Sequence, residues 1–366
     1  MRYSSIDILR TIAIAVMVMV HFSENLSGYT LPFAGLGAPL FAFASGVSYH
    51  LWVNGRRAQG SSELEISKVS VRRGLFVFGV GFAFNILVWL PEDTFNWDVL
   101  TFIGAALILL NFARRLALSI SVLIAIISLF ISPLLRALAD YPAYWTNGYF
   151  ECDLTLSDLL IGFTTTGYFP IFPWITYSLT GFVTASLLFP ESTEWQDDSN
   201  SRELTLPVML LGTAMISTSI IALQVRTYLP EILSKYMLGG WTMFPPTIEY
   251  VLATVGMALL LFGAGHRWID LNPHARKYEN WLNITKTFSR YSFTIYVLHH
   301  LVHLWPLWIY GVATGNEPTF YWKNVMPTTF SLPLAFLFLA CCYFTLRWLG
   351  PNKSRGIESW MRWLCD

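Results

Sequence analysis

Ten stretches of this chain stay apolar for about the length that a helix needs to cross a lipid bilayer, and no other property constrains its fold as strongly. An α-helix rises 1.5 Å per residue, so roughly 20 residues cross the ~30 Å hydrocarbon layer. The stretches are 5–23, 31–53, 72–91, 98–113, 116–138, 168–190, 205–225, 247–265, 288–310 and 328–349. Of the 366 residues, 54% are hydrophobic and only 13% charged, about half the ~25% charge of soluble domains. In water such a chain would expose large apolar patches; against lipid the same surface is solvated. The expected fold class is all-α, a polytopic integral membrane bundle of about ten transmembrane helices. It forms one transmembrane domain over 1–366, with no separate soluble domain and no internal repeat.

Basic residues orient the bundle. With both termini cytoplasmic, 19 of the 23 Lys and Arg fall on the inner side, and only Arg136, Arg226, Lys235 and Lys323 fall outside. This is the positive-inside pattern. Counting 154–166 as a span would reverse every later loop and move the basic stretch 266–290 outside, so it reads as a re-entrant or interfacial helix. The run 11–20 lacks a small-residue cleavage site behind it and reads as an uncleaved first span. The outer loops 139–167 and 226–246 either shape an entrance or cap the bundle, and the acidic stretch 191–204 reads as an inner linker.

A formal net charge of zero offers nucleic acid no electrostatic footprint. Cys152, Cys341, Cys342 and Cys365 show neither zinc-ligand nor redox-pair spacing. Membrane lipids are the expected partners of so apolar a chain; a homodimer is left open.

The first span carries the best chemical signal. Asp7, Arg10 and His21 interrupt an otherwise apolar helix. At 100° per residue, Arg10 and His21 lie about 20° apart around the axis and about 16 Å apart along it, and Asp7 and His21 about 40° apart. The three share one face. Ionisable groups inside membranes are costly and mark cavities or partners. The bland alternative is an interfacial Asp7–Arg10 pair with His21 merely ending the span.

In the ninth span, His299 and His303 share a face at i,i+4, with His300 between them. That spacing can bind a metal, but no acidic or cysteine ligand lies nearby in sequence, and no metal is expected. His299, with Tyr296, reads as a cavity residue. Pro170 and Pro173 bracket the start of the sixth span and predict an irregular, cavity-lining turn containing Trp174. Asn85 and Glu249 read as packing or interface groups.

Together these stretches resemble a known family. An arginine, ten residues and a histidine on the first span is the pattern of the membrane acyltransferase superfamily. PLFAFASGVSYHL (39–51), GYFPIFPWITYSLTGFVTA (167–185) and SRYSFTIYVLHHLV (289–302) are similar, in that order, to segments of the heparan-α-glucosaminide N-acetyltransferase-like family. The last places Ser292, Tyr296 and His299 on a Ser-x-x-x-Tyr-x-x-His motif, and the RRG at 72–74 also fits.

The resemblance implies transfer of an acetyl or other acyl group from a cytoplasmic acyl-CoA, usually acetyl-CoA, to a sugar or glycan hydroxyl or amine at the outer face. In the related acyltransferase family 3, the histidine matching His21 is the proposed catalytic residue and the arginine matching Arg10 supports it. The animal heparan enzymes carry their catalytic histidine in the loop after the first span. This chain has no histidine between His21 and His50, so His21 inherits the role only through the broader superfamily. A neutral imidazole can take the proton of the attacking acceptor or carry the acyl group itself. Asp7 completes the polar face. Arg56, Arg57, Arg72 and Arg73 would meet the CoA phosphates, unless they serve topology alone, and Trp174, Tyr296 and His299 would contact the acceptor. The absence of a targeting extension suggests a bacterial inner membrane. The alternative reading is a small-molecule transporter or channel using the same polar face; a non-catalytic membrane partner is a third.

Overall fold

Hydrocarbon offers no water to backbone N–H and C=O groups, so a chain this apolar folds into helices that pair those groups internally. The structure, a computed structural model, describes residues 2–89, 93–190, 198–236, 238–348 and 356–366. In chain order the helices are α1 (Ser4–Ser27), α2 (Gly37–Ala58), α3 (Glu63–Phe84), α4 (Val99–Ala113) and α5 (Leu118–Leu138). A small ribbon of β1 (Trp145–Thr146) and β2 (Tyr149–Phe150) follows. Then come α6 (Leu156–Ile161), α7 (Ile171–Leu188), α8 (Asp198–Val225), α9 (Glu231–Tyr236) and α10 (Ile248–Gly265). The last four are α11 (Glu279–Arg290), α12 (Ser292–Ala313), α13 (Thr328–Trp348) and α14 (Ile357–Cys365). The expected class is all-α; the described residues are nearly so, with the short β1–β2 ribbon the exception.

Among the described residues, seven helices are long and apolar enough to cross a membrane: α1, α3 with its extension to Trp89, α5, α7, the helix from Ser201 to Tyr228, α10 with its extension to Asp270, and α13. The protein is a multi-pass integral membrane protein. Three other expected spans are helical but outside that set. α2 starts at Gly37 rather than 31, because Pro32 and Gly35 lie in a run of turns. α4 has only 15 residues. α12 starts after Tyr291, whose backbone (φ −114, ψ 25) departs from the helix, and carries three histidines. The stretch 154–166 holds the six-residue α6 and a single wide turn, Gly162–Thr166. Residues 191–197 of the acidic inner linker, 90–91 and 349 at two span ends, and 350–355 lie outside the described residues.

The chain divides into two compact units. One comprises residues 42–273 with Arg2, Tyr3 and Cys365; the other comprises 4–41 and 274–364 with Asp366. In the first unit, α3 packs on α4, α5 on α7 and α8 on α10. Small residues let helix backbones approach closely, as lipid-embedded helices require in place of a hydrophobic drive. A Cβ on Gly181 of α7 would lie 2.1 Å from the Phe43 carbonyl oxygen of α2, and one on Gly46 would lie 1.9 Å from that of Ser178. Hydrogen bonds lock the same region: Tyr177 Oη to Thr254 Oγ1 (2.7 Å), and Ser178 Oγ donating to the Ala42 carbonyl (3.0 Å). Buried Glu249 accepts from the Gly240 N–H (3.0 Å), as a packing group does. In loop 139–167, Tyr144 donates to Asp158 (2.8 Å). Thr155 and Tyr144 hold that carboxyl below its ordinary range, and burial and the carboxylate push the Tyr144 phenol up to about 12.

In the second unit, α1 runs against α11, α12 and α13. Its last carbonyls do not end unpaired. The Lys323 N–H donates to the Asn25 carbonyl (2.8 Å), and those of Val325 and Met326 donate to that of Leu26 (3.0 and 3.2 Å). The start of α12 has no capping side chain of its own. Glu358 of α14 supplies one, accepting from the N–H groups of Phe293 (2.8 Å) and Thr294 (3.0 Å). The Thr294 hydroxyl also donates to Glu358 and accepts from the Ile357 N–H. A carboxylate there meets orphan donors and the positive end of the helix dipole.

Two stability outcomes follow from this packing. Gly181→Ala drives a Cβ into backbone and should cost about 1–3 kcal/mol, lowering the thermal midpoint in detergent; Gly79→Ala, whose Cβ meets nothing within 4 Å, should not lower it. Glu358→Ala should cost about 1–2 kcal/mol, with hydrogen exchange accelerating first at the Phe293 and Thr294 amides. Unchanged exchange there would remove Glu358 as the cap of α12.

Candidate active site

Four helical positions of the second unit converge on one point. His21 comes from α1, and Tyr296, His299 and His300 come from α12. The His21 ring centroid lies 5.4 Å from that of His299 and 4.5 Å from that of His300, and those two lie 4.1 Å apart. The Tyr296 ring flanks both, at 5.5 and 5.9 Å. Tyr296, His299 and His300 are buried, and His21 is partly exposed. One ring nitrogen from each of His21, His299 and His300 lies within 4.8 Å of the other two.

The hydrogen-bond network assigns proton positions. His303 Nδ1–H donates to the His299 carbonyl, so its Nε2 accepts from the Asn25 amide (2.9 Å). The other half of that amide, Oδ1, accepts from the Trp322 indole N–H (3.0 Å). Both nitrogens of His303 are thus committed. His299 Nδ1–H donates to the Ile295 carbonyl at 3.3 Å, which leaves a lone pair on Nε2. Among the described residues that Nε2 has no hydrogen-bond partner, although His299 is fully buried. A buried acceptor left unpaired costs about 1–3 kcal/mol, so the position is poised for a substrate proton or a Lewis acid.

Beside His303 opens a cavity of about 570 Å³ between α1, α12 and α13, lined by residues such as Phe22, Leu26, Val302, Leu334 and Phe338. Its wall suits hydrocarbon rather than a charged group.

His21, Tyr296 and His299, singled out from sequence, therefore meet. Asp7 and Arg10 lie on the same helix, Asp7 buried and Arg10 partly exposed, nearer its start. Thr11, one residue on, donates to the Asp7 carbonyl (2.7 Å) and lies 3.1 Å from the Thr285 carbonyl of α11. The remaining candidates belong to the first unit. Arg56 pairs with Glu65 (3.3 Å) and Arg57 with Glu63 (2.7 Å), which Arg114 also contacts. Arg73 stacks over Trp52 at 4.6 Å, and Arg72 is exposed. The backbone is irregular where Pro170 and Pro173 predict it, with Phe172 outside the helical region. Trp174 itself is fully buried among Phe102, Phe169 and Tyr177.

Sequence reasoning did not assign His300, Asn25 or Trp322 to the site. Asn25 lies at i+4 from His21, on the same face, and could have been found by that rule. A second polar array, in the first unit, was also missed: Ser201 Oγ lies 2.9 Å from His266 Nε2, and His266 Nδ1 lies 3.0 Å from Asp270. The atoms are ordered as in a nucleophile relay, but Ser201 is buried and also reaches the Leu188 carbonyl (3.2 Å). Each atom is already spent holding α8 to the end of α10.

Comparison with known proteins places this chain in a family. No curated protein matches the chain. The family model described as "Heparan-alpha-glucosaminide N-acetyltransferase, catalytic" matches residues 2–218, more than half of the sequence and the whole of α1. The functional class that this supports is a membrane acetyltransferase, and the chain belongs to the heparan-α-glucosaminide N-acetyltransferase catalytic family.

Proposed function

We propose that the protein transfers an acetyl group from a cytoplasmic acyl-CoA to a sugar or glycan hydroxyl or amine at the outer face, with His21 as general base or transient acyl carrier. The observation that carries this is the packing of His21 against His299 and His300, beside Tyr296, in a member of an acetyltransferase family. As base, a ring nitrogen of His21 takes the proton of the acceptor O–H or N–H while that atom attacks the thioester carbonyl. The C–S bond breaks, and the leaving thiolate takes the proton from the imidazolium. As carrier, the ring nitrogen attacks the thioester carbonyl first, the C–S bond breaks and CoA leaves as the thiol with the proton of the other ring nitrogen; the acceptor then attacks the acyl carbon, its proton returns to the ring, and the free imidazole is the leaving group.

The donor's phosphates are assigned to Arg56, Arg57, Arg72 and Arg73, and Arg10 and Asp7 support the polar face of α1. The ion pairs of Arg56 and Arg57 with Glu65 and Glu63 would open or re-form around a bound phosphate. Trp174 stays with the acceptor side as an indole whose N–H has no partner among the described residues. Ten spans with both termini inside accommodate the basic-residue asymmetry, with α2, α4 and α12 added to the seven longer apolar helices. A bacterial inner membrane suits that arrangement.

His21→Ala should lower acetyl transfer from labelled acetyl-CoA by about 10²–10⁴-fold while leaving helical content and membrane insertion unchanged. Normal turnover in the folded variant overturns the assignment. Mass spectrometry of the wild type quenched without acceptor separates the two roles: label on His21 marks a carrier. Acetyl-CoA left unconsumed in lipid, with substrate flux across the membrane, would make the chain a transporter instead.

A further inference from the structure

We propose that His21, His299 and His300 form a three-imidazole binding site for a divalent transition-metal ion of the zinc type. Sequence spacing pointed to His299 and His303 as the only pair and gave them no third ligand. The fold supplies the third from α1 and replaces His303, whose two nitrogens are engaged by Asn25 and the His299 carbonyl, with His300. Three nitrogen donors within 4.8 Å of one another, without a carboxylate, suit Zn²⁺, Co²⁺, Ni²⁺ or Cu²⁺ and not Mg²⁺ or Ca²⁺, which take oxygen ligands. Three histidines and one open position are a set that zinc accepts.

The second observation is His299 Nε2, a fully buried lone pair with no hydrogen-bond partner among the described residues. Coordination would satisfy it. The outer contact of that ring is already built: Nδ1–H donates to the Ile295 carbonyl, the arrangement that fixes the tautomer of metal-binding histidines. Zn–N bonds of about 2.0–2.1 Å place tetrahedral nitrogens about 3.3 Å apart, so nitrogens within 4.8 Å of one another close by at most about 1.5 Å, within the reach of side-chain rotation. Both helices are held, α1 by the 323–326 backbone and α12 by Glu358. A nitrogen bound to metal cannot accept a proton or an acyl group. The ion would therefore inhibit transfer, and this consequence alone rests on the role proposed for His21.

The full chain, purified in lipid nanodiscs through a histidine-free tag, is titrated with Co²⁺. Expected is one ion per chain with the visible absorption of a tetrahedral site, displaced by Zn²⁺, and a thermal midpoint that Zn²⁺ raises. His21→Ala, His299→Ala and His300→Ala should each weaken binding by about 100-fold or more, with helical circular dichroism retained; the exposed His274→Gln should bind as the wild type does. Absence of the absorption and of the thermal shift in the wild type overturns the proposal, whatever the variants do, as does full binding in folded His299→Ala and His300→Ala. Binding lost in His21→Ala with transfer intact would uphold the metal site and remove His21 as the base. Binding without inhibition in the wild type would do the same.

Discussion

The second unit depends on how α1 ends. A helix leaves its last carbonyls without intrahelical donors, and where they are shielded from water another donor must meet them. The N–H groups of Lys323, Val325 and Met326 meet the carbonyls of Asn25 and Leu26. This fixes the axial register of α1 against the segment joining α12 to α13. A slip of one residue would turn His21 by about 100° and move it about 1.5 Å, off the rings of His299 and His300. The Asn25 side chain repeats the constraint, bridging His303 and the Trp322 indole. Asn25 thus holds the register that sets where His21, one turn earlier on the same helix, stands.

What a buried polar cluster can do is set by what remains after its structural bonds are counted. In the first unit, Ser201, His266 and Asp270 spend their atoms on one another and on the Leu188 carbonyl, so an arrangement that looks catalytic is a strut. Around His21 the count comes out differently. His303 is spent, and His299 keeps a lone pair. Partial satisfaction is costly in a low dielectric, and this is what makes His299 a candidate for meeting a ligand.

The membrane architecture was legible because lipid imposes a length and forbids charge, and both leave plain traces in sequence. The shared face of Asp7, Arg10 and His21 was legible because a helix has a fixed angular step. Asn25 lies on that face as well but escaped, since a neutral amide near a span end does not stand out as an arginine does. The meeting of α1 with α12 was beyond spacing rules, which act within one helix. For the same reason His303 looked like the partner of His299: the i,i+4 rule sees one helix, whereas His21 selects His299 and His300 from another. The ion pairs of the arginine cluster were beyond a reading of Arg56 and Arg57 alone; folded, the start of α3 sets Glu65 and Glu63 against them. Pro170 and Pro173 did mark irregular backbone at Phe172, and the neighbouring Trp174 indole is buried, as so large an apolar surface favours, with its N–H unpaired among the described residues.

The family match ends at residue 218, so it covers His21 but not the histidines that meet it. Membership speaks for the class of reaction, and geometry must speak for the partners. Imidazole suits a setting this apolar. A carboxylate or ammonium would need a counter-ion to remain charged in so apolar a setting. A neutral imidazole buries without one and still presents one donor and one lone pair. Where the donor is anchored to a helix carbonyl, as at His299, the lone pair is held in place. A substrate proton, an acyl carbon and a metal ion would all compete for an electron pair of that kind, because each is short of electrons and an unpaired buried acceptor gains by meeting any of them.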